Sequence, residues 1–352
     1  MSIEMRLHAF NLPLTHRFTI SRESIDVQET LIVELIVGDV HGYGEATTNP
    51  YYGFTLENMA AALEAVRGEL AIASPDDPVA LWDQLAPRFV GNAFAQCALD
   101  LAAHDLWGKL RGEPVYRLWG LETDHIPLSD YTIGIDTIET MVAKMEEFPG
   151  WPIYKIKLGT PDDLAIVREL RRHTNAVFRV DANCAWTVEE TLRNARELKA
   201  LNVEFIEQPL PADQWQGMRR VFEHVALPVI ADESCQVESD VRSCHQFFHG
   251  INIKLCKCGG LTPARRMIAT AHELGLQVMV GCMTESSVGI SAIAQLLPLL
   301  DYVDMDGALL LSEDVAEGVR LVQGRCEYPA TPGHGVRLLK SAPYGALERP
   351  ES

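Results

Sequence analysis

Eight short apolar runs, near residues 129–134, 153–158, 177–181, 203–207, 228–232, 251–255, 277–282 and 302–306, alternate with helical stretches at intervals of about 25 residues. Runs of this length between helices read as buried strands of a parallel sheet, because parallel neighbours need a crossover between them. Several of the runs end on a charged residue. Lys155 and Lys157 close the second run, Asp181 the third, Glu207 the fourth, Asp232 the fifth, and Lys254 the sixth. An open doubly wound sheet would gather its unusual residues at one switch point. Here they recur at the ends of successive strands, which favours a closed barrel with helices outside it.

The region before the barrel follows a different pattern. Residues 2–46 alternate like half-exposed antiparallel strands, with a hairpin turn at Gly38-Asp39. Helical patterns follow from about 55 to 112, where Gly112 and Pro114 stop a helix that is apolar nearly all round. The expected organisation is an α+β capping domain over 1–125 and a barrel over 126–324. A Pro/Gly-rich tail, 325–352, packs back on the first domain. One barrel helix reads as starting at Thr262 as N-cap with Pro263 at its first position, and ending before Gly275.

Composition excludes some function classes. With 352 residues and 47% hydrophobic content, the chain can bury a sizeable core. A formal charge of −19 with no basic cluster argues against a nucleic-acid partner. No run reaches the roughly 20 apolar residues of a membrane span, and no apolar signal segment opens the chain. The expected location is therefore the cytoplasm, with the eight cysteines as reduced thiols. A homo-oligomer is left open. His245 and His249, four apart on an expected helix, lack a His-Glu-x-x-His context and read as surface residues.

Three carboxylates on one rim, with no imidazole or thiolate beside them, suit a hard octahedral cation such as Mg²⁺. Lys155 and Lys157 share a strand face. Two ammonium groups side by side near a dication favour loss of a proton from one, tuning it as a general base. Lys254, several strands further round, approaches from the opposite wall. Lys257 could simply pair with a carboxylate. A substrate carboxylate on the metal has its α-proton acidified. One lysine can then remove that proton and the other return it to the opposite face. Inversion requires a base on both sides, whereas elimination or cycloisomerisation requires one.

The order Lys-x-Lys (155–157), Asp-Ala-Asn (181–183), Glu-Gln-Pro (207–209), Ala-Asp-Glu-Ser (231–234) and Ile-Lys-x-x-Lys-x-Gly-Gly (253–260) resembles the enolase superfamily, in its muconate-lactonising branch. The resemblance implies an α+β capping domain over a (β/α)7β TIM-like barrel, with capping-domain loops closing over the substrate. It implies one Mg²⁺ held by Asp181, Glu207 and Asp232. Lys157 and Lys254 become the acid/base pair, and Lys155 helps neutralise the enolate.

Within that branch, Asp304 and Asp306 discriminate. They lie two apart at the end of the last barrel strand, so both side chains point to one face. Two carboxylates in a cavity suit a substrate ammonium group, and dipeptide epimerases carry such an Asp-x-Asp there. The expected activity is Mg²⁺-dependent epimerisation at the α-carbon of a dipeptide's C-terminal residue. The alternatives are an N-acylamino acid racemase, an o-succinylbenzoate synthase and a muconate-type cycloisomerase. A non-catalytic barrel holding a chelating ligand would not need opposed bases.

Side-chain specificity is expected from the capping-domain loops. By resemblance to Ala-Glu epimerases, Arg22 could bind a glutamyl carboxylate; it could equally pair with Glu23 or another acid. Tyr51, Tyr52 and Phe54 could wall an apolar pocket or pack under their own loop. From the seventh strand, Met283 and Glu285 are expected to contact substrate, and the acidic residues leave a cationic side chain open. Gly259 and Gly260 read as a tight turn that leaves room for substrate.

Overall fold

The computed structural model describes residues 2–345, so the last part of the expected 325–352 tail lies outside the described residues. Three antiparallel strands, β1 (Glu4–Ile20), β2 (Glu23–Val37) and β3 (Val40–Thr47), open the fold in the order β1–β2–β3. The β2–β3 turn falls at Gly38, whose φ of +61° suits a residue without a Cβ. Helices α1 (Leu56–Ala71), α2 (Pro78–Leu85), α3 (Ala93–Arg111) and the single turn α4 (Val115–Leu118) follow. Thr55 and Asn58 form a reciprocal capping box at the start of α1.

Helix α3 is apolar all round because it is covered all round. A Cβ on Gly44 of β3 would sit 2.1 Å from Ala98 O, so the helix backbone packs directly against the strand. Its other side meets the barrel, where Thr262 donates its backbone N–H (2.9 Å) and hydroxyl (2.8 Å) to Asp100 of α3.

The barrel runs β4 (Tyr131–Ile133), α5 (Ile138–Glu147), β5 (Ile153–Lys157), α6 (Asp163–His173), β6 (Val177–Asp181), α7 (Val188–Ala200), β7 (Val203–Glu207) and α8 (Trp215–His224). It continues through β8 (Val229–Ala231), α9 (Glu238–Cys244), β9 (Gly250–Ile253), the turn α10 (Leu255–Cys258), α11 (Leu261–Glu273), β10 (Gln277–Gly281), α12 (Ser287–Ala294) and β11 (Tyr302–Asp304). The eight strands are parallel and pair in sequence order, and a Ser129–Val303 bridge brings the two ends of the sheet together. No α-helix follows β11 directly, so the unit is (β/α)7β.

Side chains fill the barrel in layers. Phe205, Ile230 and Met279, with Tyr302 against them, form an apolar floor. Above it the buried Arg179 guanidinium donates to Asp130 Oδ2 (2.8 Å) and to Val303 O (2.9 Å), across the closing seam. The charged strand ends lie above that.

The tail returns to the first sheet. Ala9 N–H donates to Ala342 O (3.0 Å) and Tyr344 N–H to Leu7 O (2.8 Å).

Two local expectations are corrected. Helix α11 begins at Leu261 with Gly260, not Thr262, at its N-cap. Gly260 has a φ of +118°, and Asp100 supplies from outside the helix the carboxylate that a cap would have offered. His245 and His249 do not share a helix: α9 stops at Cys244, and the half-buried His249 accepts Val229 N–H through Nδ1 at 3.2 Å. All eight cysteines are free, and among the described residues no helix is long and apolar enough to cross a membrane.

Candidate active site

Strand register gathers the charged ends. Lys157 lies beside Asp181 and Asp181 beside Glu207 across neighbouring strands. Asp232 follows β8 immediately. Carboxylate oxygens of Asp181, Glu207 and Asp232 lie within 4.8 Å of one another, all buried. The backbone turns sharply after two of these residues: Asn183 and Gln208 have φ of +42° and +32°. Such strain persists where neighbours hold it. Asn183 N–H donates to Asp181 Oδ1 at 2.8 Å. Gln208 Oε1 accepts from Asp232 N (2.9 Å) and Ser234 N (3.1 Å), tying the end of β7 to that of β8. Asn252 Nδ2 donates to Glu207 Oε1 at 2.7 Å, and the missing side chain of Gly281 makes room for it.

The three oxygens fit a divalent cation. They are all hard carboxylate donors, and Glu207 Oε2 is buried with no well-directed hydrogen bond. Their mutual repulsion is visible in the acidity of Glu207. Burial, with the charges of Asp181 and Asp232, pushes Glu207 up to about 7. Burial raises Asp232 too, but the ammonium groups of Lys254 and Lys257 outweigh it and hold that carboxyl well below the usual range. Lys257 is thus a structural partner, donating to Asp232 Oδ1 (2.5 Å) and Asp232 O (2.6 Å).

Lys157 Nζ lies 2.7 Å from Asp181 Oδ2, and Lys254 Nζ lies 3.2 Å from Asp232 Oδ2. Their positions, on β5 and just after β9, are half a turn apart in a ring of eight strands. The two lysines therefore face each other across the cavity mouth. Lys155, one layer deeper, touches Glu207 Oε2 (2.7 Å), Asp304 Oδ2 (2.7 Å) and Asp181 Oδ2 (3.5 Å). Here the expectation of a lysine tuned downward meets the opposite balance. Burial lowers Lys155 and Lys254, but the surrounding carboxylates outweigh it and raise both. A dication on those oxygens would offset the same negative charge.

Asp304 and Asp306 face the cavity from the opposite side to Glu207. Thr132 of β4 donates its N–H (2.6 Å) and hydroxyl (3.3 Å) to Asp306, while Asp304 Oδ1 is buried and unpartnered. Burial and the neighbouring Asp304 push Asp306 up to about 8. Asp304 Oδ1 thus retains acceptor capacity that a cationic group would satisfy. Cys282, just past the end of β10, and Thr132, within β4, complete this wall, and sequence reasoning singled out neither.

A cavity of about 90 Å³ opens above these groups, with Arg22, Tyr52, Lys157, Lys254, Met283, Asp304 and Asp306 among its lining residues. Three of the residues named from sequence, Tyr51, Phe54 and Glu285, do not line it. Phe54 stacks on Phe94 with ring centroids 4.3 Å apart, under its own loop. Glu285 turns inward, where its Oε1 accepts Met283 N–H at 2.9 Å and burial, with Glu45, pushes it up to about 8. Arg22 pairs not with Glu23 but with the fully buried Glu233, Nη1 to Oε1 at 2.7 Å, and its guanidinium lies 4.2 Å from the Tyr51 ring centre.

Comparison with known proteins agrees with this geometry. Residues 138–342 match the family profile described as enolase C-terminal domain-like. Residues 2–120 match that of the mandelate racemase / muconate lactonizing enzyme N-terminal domain. An L-Ala-D/L-amino acid epimerase of Flavobacterium johnsoniae is 57% identical over 96% of this chain and 100% of its own. An L-Ala-D/L-Glu epimerase of Bacteroides thetaiotaomicron is 40% identical over 95% of this chain and 88% of its own. A solved dipeptide epimerase of Methylococcus capsulatus, complexed with Mg and the dipeptide L-Arg-D-Lys, superposes with a TM-score of 0.88. It is 34% identical, and the match covers 96% of this chain and 99% of that one. With both of its domains matched in this way, the chain belongs to the mandelate racemase / muconate lactonizing enzyme family of the enolase superfamily.

Proposed function

We propose that this chain is a Mg²⁺-dependent dipeptide epimerase that inverts the α-carbon of the C-terminal residue by 1,1-proton transfer. One observation carries the reading. A single cavity joins an all-carboxylate cation site, flanked by lysines on opposite walls, to a second acidic pair in which Asp304 Oδ1 is unpartnered. The epimerase names of the Flavobacterium and Bacteroides relatives, and the dipeptide and Mg in the Methylococcus structure, support it.

Asp181, Glu207 and Asp232 would hold the metal, which supplies stabilisation of the negative charge that develops beside a substrate carboxylate. Lys157 and Lys254 stand on the two faces of the α-carbon. One accepts the α-proton while the other donates a proton to the opposite face, and their roles reverse for the reverse reaction. Lys155, buried among Glu207, Asp181 and Asp304, keeps a fixed positive charge beneath the reacting centre. Asp304 and Asp306 receive the free ammonium of the N-terminal residue. An N-acylated substrate would set an uncharged amide against two buried carboxyls, which disfavours the racemase alternative. A muconate or succinylbenzoate would bring an anion there.

Proton NMR of mixed L,L-dipeptides in D2O with Mg²⁺ tests this reading. Loss of the C-terminal α-hydrogen resonance with growth of diastereomer peaks is expected. Exchange in N-acylamino acids alone would overturn it.

A further inference from the structure

A second trio of potential ligands lies apart from Asp181, Glu207 and Asp232. Cys282 Sγ and carboxylate oxygens of Asp304 and Asp306 come within 4.8 Å of one another, and all three residues are buried. Neighbouring strand ends hold them together. Cys282 N–H donates to Asp304 O at 2.8 Å, and Thr132 fixes Asp306 from β4 through its N–H and hydroxyl. A Cβ on Gly307 would approach Cys282 Sγ to 3.3 Å, so the missing side chain leaves the sulfur its room. Asp304, only 4% exposed, spends Oδ2 on Lys155 and leaves Oδ1 buried without a hydrogen-bond partner. All three residues line the cavity, which gives an ion a path to them.

The donors differ in kind from those of the first trio. Three carboxylates suit Mg²⁺, whereas a thiolate in place of one of them shifts the preference toward Zn²⁺. Zn–S bonds of about 2.3 Å and Zn–O bonds of about 2.0–2.2 Å, at a tetrahedral angle, set sulfur and oxygen roughly 3.6 Å apart. Cys282 Sγ lies 4.0 Å from Asp306 Oδ1, a small side-chain adjustment from that spacing. Burial and the two carboxyls push the free thiol well up, so the ion must displace its proton to solvent.

We propose that Cys282, Asp304 and Asp306 form a second, thiophilic cation site that takes Zn²⁺, and that zinc bound there blocks the place of the substrate ammonium. Three protein ligands leave a fourth tetrahedral position facing the cavity. The blocking rests on the epimerase reading above; the metal site does not.

The probe is Co²⁺, which takes zinc's place and shows a thiolate-to-metal charge-transfer band. Added to the wild-type protein in excess Mg²⁺, Co²⁺ should produce this band and Zn²⁺ should abolish it. Cys282→Ser should lack the band. Asp306→Asn, which keeps the thiol, should weaken Co²⁺ binding by at least about tenfold, the least that loss of even an outer partner of a metal site costs. This second variant decides the matter even where Cys282→Ser fails to fold. No band in wild type, or an undiminished band in either variant, would overturn the site. With an active dipeptide, zinc inhibition should be relieved by more dipeptide and not by more Mg²⁺. Relief by Mg²⁺ alone would put the zinc on Asp181, Glu207 and Asp232 and overturn the blocking. The expected cobalt band without turnover of any dipeptide would support the site and sink the epimerase reading alone.

Discussion

Lys155 and Asp304 form a buried 2.7 Å ion pair, and the same ammonium group reaches Glu207 Oε2 at 2.7 Å on the opposite wall of the barrel. One cation thus links the candidate metal site to the candidate ammonium site. Removing one partner of a buried pair leaves an uncompensated charge and costs about 3–5 kcal/mol. Lys155→Met should therefore destabilise the metal-free protein by roughly that amount. Asp304→Asn should cost less, since Glu207 and Asp181 still face the lysine. Urea denaturation in chelator checks this order, and equal losses would contradict it.

Mg²⁺ binding should depend on pH through Glu207. Its carboxyl, pushed up to about 7 by burial and its carboxylate neighbours, still carries a proton below that pH in the metal-free protein. A metal must displace that proton, so affinity should fall about tenfold per pH unit below 7 and level off above it. At a hundred times Kd the ion should stabilise the fold by about 2.7 kcal/mol. Calorimetric titration at pH 6 and pH 8 checks both, with proton release expected only at the lower pH.

Asp306→Asn should weaken turnover of free dipeptides by about 2–5 kcal/mol in kcat/KM, the usual loss when one member of a buried charge pair is truncated. Exchange of N-acylated substrates, if measurable at all, should hardly change. Equal losses on both would remove the ammonium assignment.

Glu285 offers a separate pH test. Its folded acidity is shifted up to about 8 from 4.5 by burial and Glu45, so between those values the folded state holds a proton that the unfolded state has lost. Stability from this group is complete below pH 4.5 and declines as pH rises toward 8. Glu285→Gln should flatten that decline while leaving KM for a dipeptide nearly unchanged, because the side chain lies outside the cavity. A large KM effect would restore it as a substrate contact.

The barrel and its charged rim were legible because they follow from period. Each apolar run buries its strand, and a charged residue at the end of such a run can only emerge at the rim. Specificity was less legible, because it depends on contacts between distant segments. Nothing near Arg22 in sequence indicates Glu233, 211 positions later. Phe54 lies two positions from the lining residue Tyr52, and Glu285 adjoins the lining residue Thr284, so neighbouring positions divide between cavity and core. The N-cap of α11 was misplaced for the same reason, since its carboxylate comes from Asp100 on another domain's helix. Nor does the local Lys155–Lys157 motif show the deeper carboxylates, Glu207 and Asp304, that hold Lys155 protonated in the metal-free protein.

Inversion here requires two lysines acting on opposite faces of one carbon. The most direct measurement removes one of them. Lys254→Ala and Lys157→Ala would each be incubated with Mg²⁺ and either diastereomer of an active dipeptide in D2O, and α-proton exchange followed separately from epimerisation. Each variant should exchange one diastereomer with retention, the two variants choosing opposite diastereomers, and neither should epimerise. Epimerisation that persists in either variant, or both variants exchanging the same diastereomer, would contradict the two-base geometry.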